Sequence, residues 1–192
     1  RISRQFSYPD FLDYTESARA FSAIAAMRVK NVVLANEAQS VMGPMQDLRS
    51  STLSLQAVSQ NYLFTLGANL VLGRDFLPEE ATPHSGQPVM VISHQFWQTR
   101  LQGDDDVLGS TLSTLDPHGT GNATTYTIIG VTAPEFLGQF LTPPAGWIPL
   151  AFDPMALEDR TTPSVSLIGR MAVGVSLLQA KADLDAIAQR LS

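Results

Sequence analysis

The stretch VSLIGRMAVGVSLLQAKADLDAIAQRL, residues 165–191, has the clearest secondary-structure pattern in the sequence. Side chains alternate over 165–173, which predicts a β-strand. Gly174 predicts a turn, and Ser176 with Gln179 forms a capping box that starts a helix. Apolar residues then recur on one helical stripe: Leu177, Ala180, Leu184, Ile187, Ala188 and Leu191. The sequence therefore predicts a strand followed by an amphipathic helix.

Further strands and helices are predicted on the N-terminal side of this unit. A helix starts at Ser7, where Asp10 completes a capping box, and its predicted inner face holds Tyr8, Phe11 and Leu12. The other predicted elements are a helix over 18–26 with Phe21 and Ile24 buried, extended segments over 28–34, 41–48 and 51–58, a helix over 59–67 capped by Ser59 and anchored by Tyr62, Phe64 and Leu66, a strand over 89–92, a helix from Ser93 to Leu101, a hairpin of 110–115 with 124–131, and an edge strand over 147–150. Strands come in groups without strict βαβ alternation, which predicts an α+β fold with mixed or antiparallel sheets.

Composition excludes several classes of protein. The 192 residues are 44% hydrophobic and 16% charged, so the chain can bury a core. Cysteine is absent, which excludes disulfides, a cysteine zinc site and a thiol nucleophile. The net charge is -6 and the basic residues are scattered, which disfavours binding to nucleic acid or to anionic membrane surfaces. No apolar run approaches the ~20 residues of a membrane span, and no signal-peptide pattern opens the sequence. We expect a soluble segment that starts inside a longer protein.

No motif for catalysis or cofactor binding is found. His84, His94 and His118 lack the spacing of a metal site. The acidic run Asp104–Asp106 lacks the alternation of a calcium loop and is predicted to be a solvated turn. No GxSxG elbow is present, and the glycines near Gly67 fit helix and turn ends better than a phosphate-binding loop. The sequence therefore predicts no catalytic, cofactor-binding or metal-ligating residue.

Two features remain as candidates for a functional role. Arg74 and Arg170 lie within apolar motifs, where a guanidinium needs a fixed acceptor. The Pro-rich segment 136–147 carries aromatic and other apolar side chains. These side chains are either exposed or packed on the core, and both alternatives stay open at this point. In the first alternative these side chains dock a partner, and in the second they hold the loop on the core. The side chains concerned are Phe136, Phe140, Leu141, Pro143, Pro144 and Trp147.

A series of short blocks in fixed order covers nearly the whole chain. They are Ser7-Tyr8-Pro9-Asp10-Phe11; Ser59-Gln60-Asn61-Tyr62-Leu63 with Leu66-Gly67; Leu72-Gly73-Arg74-Asp75-Phe76 with Pro78-Glu79-Glu80; Val91-Ile92-Ser93 with Phe96-Trp97; Gly103-Asp104 with Leu108-Gly109; Tyr126-Thr127-Ile128-Ile129-Gly130-Val131; Pro134-Glu135-Phe136; Trp147-Ile148-Pro149-Leu150; and Gly169-Arg170 with Gly174-Val175-Ser176 and Ala180. Together they resemble the MacB-like periplasmic core domain of FtsX-like permeases in ABC transporters. Leu63 departs from the aromatic residue usual in the family, and the loop over 116–123 is longer than usual.

The resemblance implies a non-catalytic domain held outside the cytoplasmic membrane, between the first two transmembrane helices of a permease. It implies a porter-like subdomain, residues 1–82 with 162–192, and an inserted sabre-like subdomain, residues 83–161. The two chain ends are then expected to lie close together. Motif residues such as Tyr62, Leu66, Gly73, Trp97, Ile128 and Gly130 are expected to serve folding.

The partners that the resemblance implies are the permease's own transmembrane helices and a cytoplasmic ATP-binding subunit or domain. The resemblance also implies a second permease domain or a periplasmic adaptor as a further partner. ATP hydrolysis in the cytoplasm would drive a periplasmic conformational change for efflux or envelope export. Two alternatives stay open: a free-standing periplasmic module that binds a small ligand or peptide, and a hydrolase whose Asp or Ser groups are assembled by folding.

Overall fold

The structure is a computed structural model that describes residues 5–35, 52–82, 88–117, 123–153, 157 and 163–191. Its elements are α1 (Tyr8–Ser17), β1 (Phe21–Leu34), β2 (Thr52–Val58), α2 (Tyr62–Leu66), β3 (Leu70–Gly73), a 3-10 helix (Pro78–Ala81), β4 (Val89–Ile92), α3 (His94–Arg100), β5 (Thr111–Leu115), β6 (Thr124–Thr132), β7 (Gly146–Pro149), a second 3-10 helix (Leu150–Phe152), β8 (Ser166–Met171) and α4 (Leu177–Leu191). Among these residues, no helix combines the length and the hydropathy that crossing a membrane requires. The predicted strand over 41–48 and the tip of the loop over 116–123 lie outside the described residues.

β1 belongs to a closed circuit of paired strands, in which β1, β2, β7, β4, β6 and β5 follow one another. β1 pairs antiparallel with β8 from Phe21 to Met27 and with β2 from Met27 to Val33, and its last residues reach β5. β2 pairs parallel with β7, β7 antiparallel with β4, β4 parallel with β6, and β6 antiparallel with β5. β3 pairs antiparallel with the C-terminal end of β6, from Gly130 to Thr132. Parallel and antiparallel pairs thus share one sheet, which confirms the predicted α+β class.

Two apolar clusters lie on opposite faces of this sheet. Ile24, Ala26 and Val32 of β1 belong to the first cluster, to which every other strand of the circuit adds side chains. Phe11, Phe96 and Ile187 close that cluster from α1, α3 and α4. The intervening Ala25 and Met27 belong to the second cluster, which α2 and the Pro-rich segment cover. Because side chains alternate along a strand, β1 contributes to both cores at once.

Three of the predicted helix starts, at Ser7, Ser93 and Ser176, are confirmed. The Ser7 hydroxyl accepts the Asp10 N–H and the Asp10 carboxylate accepts the Ser7 N–H, both at 3.1 Å. Ser176 and Gln179 form the same reciprocal pair at the start of α4. Ser93 accepts the Phe96 N–H and starts α3. These caps depend on residues three apart in sequence, which is why the sequence alone identifies them.

Two predicted elements are wrong. The stretch 18–26 is not a helix, since β1 begins at Phe21. Its alanines favour a helix locally, but the antiparallel ladder with β8 and burial on both faces outweigh that preference. β7 is not an edge strand, since it lies between β2 and β4. Pro149 is tolerated there because it is the last residue of the strand.

Some predicted inner residues lie at the surface. Phe64 is 75% exposed and Leu177 is 76% exposed, whereas Leu12 is half exposed. Ser59 does not cap α2 with its side chain, because its hydroxyl accepts the Ala26 N–H of β1 at 3.0 Å instead. In each case the neighbouring strand or open solvent, rather than helical spacing, decides the environment.

The division into segments 1–82 with 162–192 and 83–161 stays a prediction. Three ladders run between the two predicted segments: β1 with β5, β2 with β7, and β3 with β6. Because hydrogen-bonded strands cannot separate without losing their ladders, we expect one cooperative unfolding transition. Circular dichroism reports on both segments and the fluorescence comes from Trp97 and Trp147 of the second segment, so we expect the two methods to give the same midpoint. Two separated midpoints would contradict this.

Candidate functional site

The two ends of the described chain meet at one end of the molecule. Phe6 donates its N–H to the Val165 carbonyl at 2.8 Å, and its ring packs edge-on against Tyr14. Phe6 and Tyr14 share a cavity of about 280 Å³ with Leu184 and Ala188 from the second half of α4. Phe6, near the start of the described residues, therefore lies beside the second half of α4.

A single carboxylate joins α4 to the start of β1. Oδ2 of Asp183 accepts the backbone N–H groups of Arg19 and Ala20, each at 2.8 Å. At the same corner, the Ala172 N–H donates to the Ala20 carbonyl at 2.9 Å. The corner between α1 and β1 is thus held by α4 and by the end of β8. Sequence reasoning missed Asp183, because it reads only as a polar residue off the apolar stripe.

Arg170 has the fixed acceptor that its sequence context predicted. Its Nε–H donates to the carbonyl of Thr65 in α2 at 2.9 Å. α2 ends at Leu66 and is capped by Gly67, whose φ of +73° is left-handed. Arg170 therefore ties β8 to the last turn of α2, where carbonyl groups have no helical partner.

Arg74 also has the predicted fixed acceptor. Its two terminal nitrogens donate to the two oxygens of Glu80 at 2.9 and 2.7 Å, and Glu80 further accepts the Leu77 N–H at 2.8 Å. The bidentate geometry closes the turn between β3 and the first 3-10 helix. The hydrogen bonds from Arg74 hold the pKa of Glu80 below its ordinary value.

The lowered pKa of Glu80 predicts an acid-dependent loss of stability. A carboxyl group whose pKa falls on folding stabilises the fold above its unfolded pKa of about 4.3, and that contribution is lost as the pH drops through the folded value. We expect Glu80→Gln to cost about 1–2 kcal/mol at neutral pH, with the difference from wild type shrinking below about pH 4. Urea unfolding of both proteins from neutral pH to below about pH 4 measures this difference in the free energy of unfolding. Glu79→Gln, at the exposed neighbour, is the matched control and should cost less. If Glu80→Gln costs the same at neutral pH as below about pH 4, the result would contradict the ion pair.

The Pro-rich segment shows features of both sequence alternatives. Phe136 packs against Trp147 with ring centres 5.1 Å apart, so the segment is held on the second cluster. Leu141, however, is 99% exposed, and Phe140 is half exposed. The aromatic residues at the two ends of the segment fix it, and its middle presents apolar side chains to solvent.

A second exposed apolar group lies at the turn between β8 and α4. Val173 is fully exposed, and Leu177 and Leu178 are more than three-quarters exposed. α4 has 15 residues and is about 22 Å long, so this tip lies about that distance from Leu191, the last residue of the helix. The turn before α4 thus presents an apolar tip to solvent, away from the last turn of the helix.

The histidines and the acidic turn are the groups that could ligate a metal ion or transfer a proton. Within them, no three His, Asp or Glu side chains lie close enough together to hold a metal ion. His94 packs edge-on against Trp97, while His84 and His118 lie outside the described residues. In the acidic turn, the Asp104 carboxylate accepts the Asp106 N–H, and its carbonyl accepts the Trp97 indole N–H. These contacts are structural ones, and no residue is assigned a catalytic role.

Three solved structures share this fold. The periplasmic region of MacB from Actinobacillus actinomycetemcomitans matches with a TM-score of 0.65 and 14% identity, over 98% of this chain and 75% of that one. A domain of a permease protein from Porphyromonas gingivalis matches with a TM-score of 0.62 and 15% identity, over 98% of this chain and 72% of that one. The extracellular domain of the ABC-type transporter YknZ from Gram-positive bacteria matches with a TM-score of 0.61 and 15% identity, over 97% of this chain and 82% of that one.

At these identities the structural likeness concerns the fold. No curated protein matches the sequence. The family model, however, matches residues 2–191, almost the entire chain. The chain belongs to the MacB-like periplasmic core domain family of ABC transporter permeases.

Proposed function

We propose that this chain is the extracytoplasmic domain of an ABC transporter permease in the cytoplasmic membrane, and that it transmits a conformational change without catalysing a reaction. Its partners are the permease's own transmembrane helices and a cytoplasmic ATP-binding subunit or domain, with a second permease domain or a periplasmic adaptor as further partners. Cytoplasmic ATP hydrolysis would then be coupled to efflux or envelope export. Family membership supports this proposal, and the arrangement of the chain ends supports it further.

The observation that carries the proposal is the position of the two chain ends. Phe6 and the second half of α4 line one cavity, while Val173 lies fully exposed ahead of the first turn of α4. β8, which ends at Met171 shortly before Val173, pairs with β1, and β1 belongs to the closed circuit of paired strands. Because packed interiors deform little, movement applied at the ends would displace the tip with the sheet as one body. The porter-like and sabre-like segments of the resemblance would move together in this mechanism.

The experiment uses the complete transporter in a bilayer. The chain contains no cysteine, so Val173→Cys introduces a single thiol in this domain at a fully exposed position. We expect a membrane-impermeant thiol reagent to reach it from outside intact cells. We expect energy transfer from a dye at Val173 to labelled lipids to change when ATP binds and is hydrolysed. An inactive ATP-binding subunit is the control.

The same experiment can overturn the proposal. Labelling from the cytoplasmic side, or energy transfer that ignores nucleotide, would contradict it. Saturable binding of a small ligand or peptide to the isolated chain, with no response to ATP, would favour a free-standing binding module instead. The groove of about 300 Å³ between α3 and the Pro-rich segment, lined in part by Phe96, Arg100 and Pro143, is where such a ligand would fit.

A further inference from the structure

The contact between α4 and the sheet has two physically different parts. Leu184, Ile187 and Leu191 pack against the first cluster through apolar contacts. Apolar contacts resist separation but are non-directional, so they leave a helix able to slide or rotate. Asp183 is different, because one of its oxygens is fixed by two backbone N–H groups at 2.8 Å. Charge-assisted hydrogen bonds of this kind hold both distance and direction.

The partners of Asp183 lie at the start of the central strand. Arg19 and Ala20 immediately precede Phe21, the first residue of β1. β1 pairs with β8, β2 and β5 along its length, so a displacement of this corner reaches three strands directly. The Ala172–Ala20 hydrogen bond adds the end of β8 to the same corner.

We infer that Asp183 is a positioning residue that couples displacement of α4 to the sheet. With the carboxylate present, α4 and β1 move as one body; without it, α4 shifts over the apolar cluster and the sheet lags behind. The inference rests on the proposed function, since it assigns the residue through which movement at the chain ends enters the domain. It adds a specific coupling contact to that function.

The first measurement uses the isolated chain. Asp183→Ala is expected to accelerate amide hydrogen exchange at Arg19 and Ala20 by about 10- to 100-fold, the factor that corresponds to a hydrogen bond to a charged group. Asp185→Ala is the matched control, because it removes a carboxylate from the same helix that is paired with Lys181 at the surface. Asp183→Asn keeps the size of the side chain and provides a folded variant with a weaker acceptor. Unchanged exchange at Arg19 and Ala20 in both Asp183 variants would overturn the inference.

The second measurement uses the complete transporter with spin labels at Gln189 on α4 and Thr111 on β5, both exposed. In wild type and Asp185→Ala, the distance between the labels should stay constant when nucleotide is added. In the Asp183 variants this distance should become nucleotide-dependent. A constant distance in all variants, while Val173 still responds to ATP, would overturn the inference and leave the proposed function standing. Loss of the Val173 response in wild type would instead overturn the proposed function.

Discussion

Replacing Gly73 by alanine is expected to destabilise the fold by about 3–4 kcal/mol, although the residue lies at the surface. A Cβ at Gly73 would lie 2.1 Å from the Ile129 carbonyl oxygen and 2.9 Å from the Gly130 Cα. Both neighbours are backbone atoms, so β3 and β6 would have to move apart. The backbone φ of +73° adds the ordinary cost of a left-handed conformation for a residue with a side chain.

Gly109→Ala separates these two costs. Gly109 has a φ of +83°, but a Cβ there would meet no atom within 4 Å. Its replacement should therefore cost only the conformational part, about 1–2 kcal/mol. Urea unfolding of both variants gives the comparison. Equal losses for the two variants would show that the close approach of β3 to β6 does not matter to stability.

Gln56→Leu is expected to cost about 3 kcal/mol, because it leaves two buried donors without an acceptor. Oε1 of Gln56 accepts the Tyr62 hydroxyl at 3.0 Å and the Trp147 indole N–H at 2.9 Å, and all three side chains are almost completely buried. Burial raises the pKa of Tyr62 to about 12, so its hydroxyl remains a proton donor at neutral pH. Gly138 of the Pro-rich segment lies directly over this group, so the segment should loosen as well.

A double-mutant cycle tests whether the cost comes from the shared acceptor. Tyr62→Phe alone should cost about 1 kcal/mol. Tyr62→Phe in the Gln56→Leu background should cost little or even stabilise, because it removes a donor that already lacks a partner. Denaturant midpoints at constant slope give all four free energies of unfolding. Strictly additive losses would mean that Gln56, Tyr62 and Trp147 do not act as a hydrogen-bonded group.

The candidate residues differ in how far the sequence could reveal them. Arg74 and Arg170 are identifiable because a cation in an apolar motif needs a partner, and both have one. The partner of Arg74, Glu80, lies six residues away and is within reach of sequence reasoning. The partner of Arg170 is the Thr65 carbonyl, 105 residues away, and no local pattern points to it.

Gln56 and Asp183 show why other residues could not be found. Alternation along β2 predicts that Gln56 faces solvent, but the strand is buried on both faces from Leu55 onward because α2 and the Pro-rich segment cover its outer side. Asp183 lies off the apolar stripe of α4, where surface carboxylates are ordinary. Its two partners are separated from it by 164 and 163 residues.

The sequence by itself determined what depends on residues a few positions apart. That set includes the capping boxes, the left-handed stop at Gly67, the β5–β6 hairpin and the amphipathic α4. The tertiary structure alone decided that 18–26 joins a strand, that β7 lies in the interior of the sheet, and that Asp183 bonds to the start of β1. The physical reason is that local hydrogen bonds and periodicity act within a turn or two of chain. Strand pairing and burial on a second face instead depend on segments that meet only after folding.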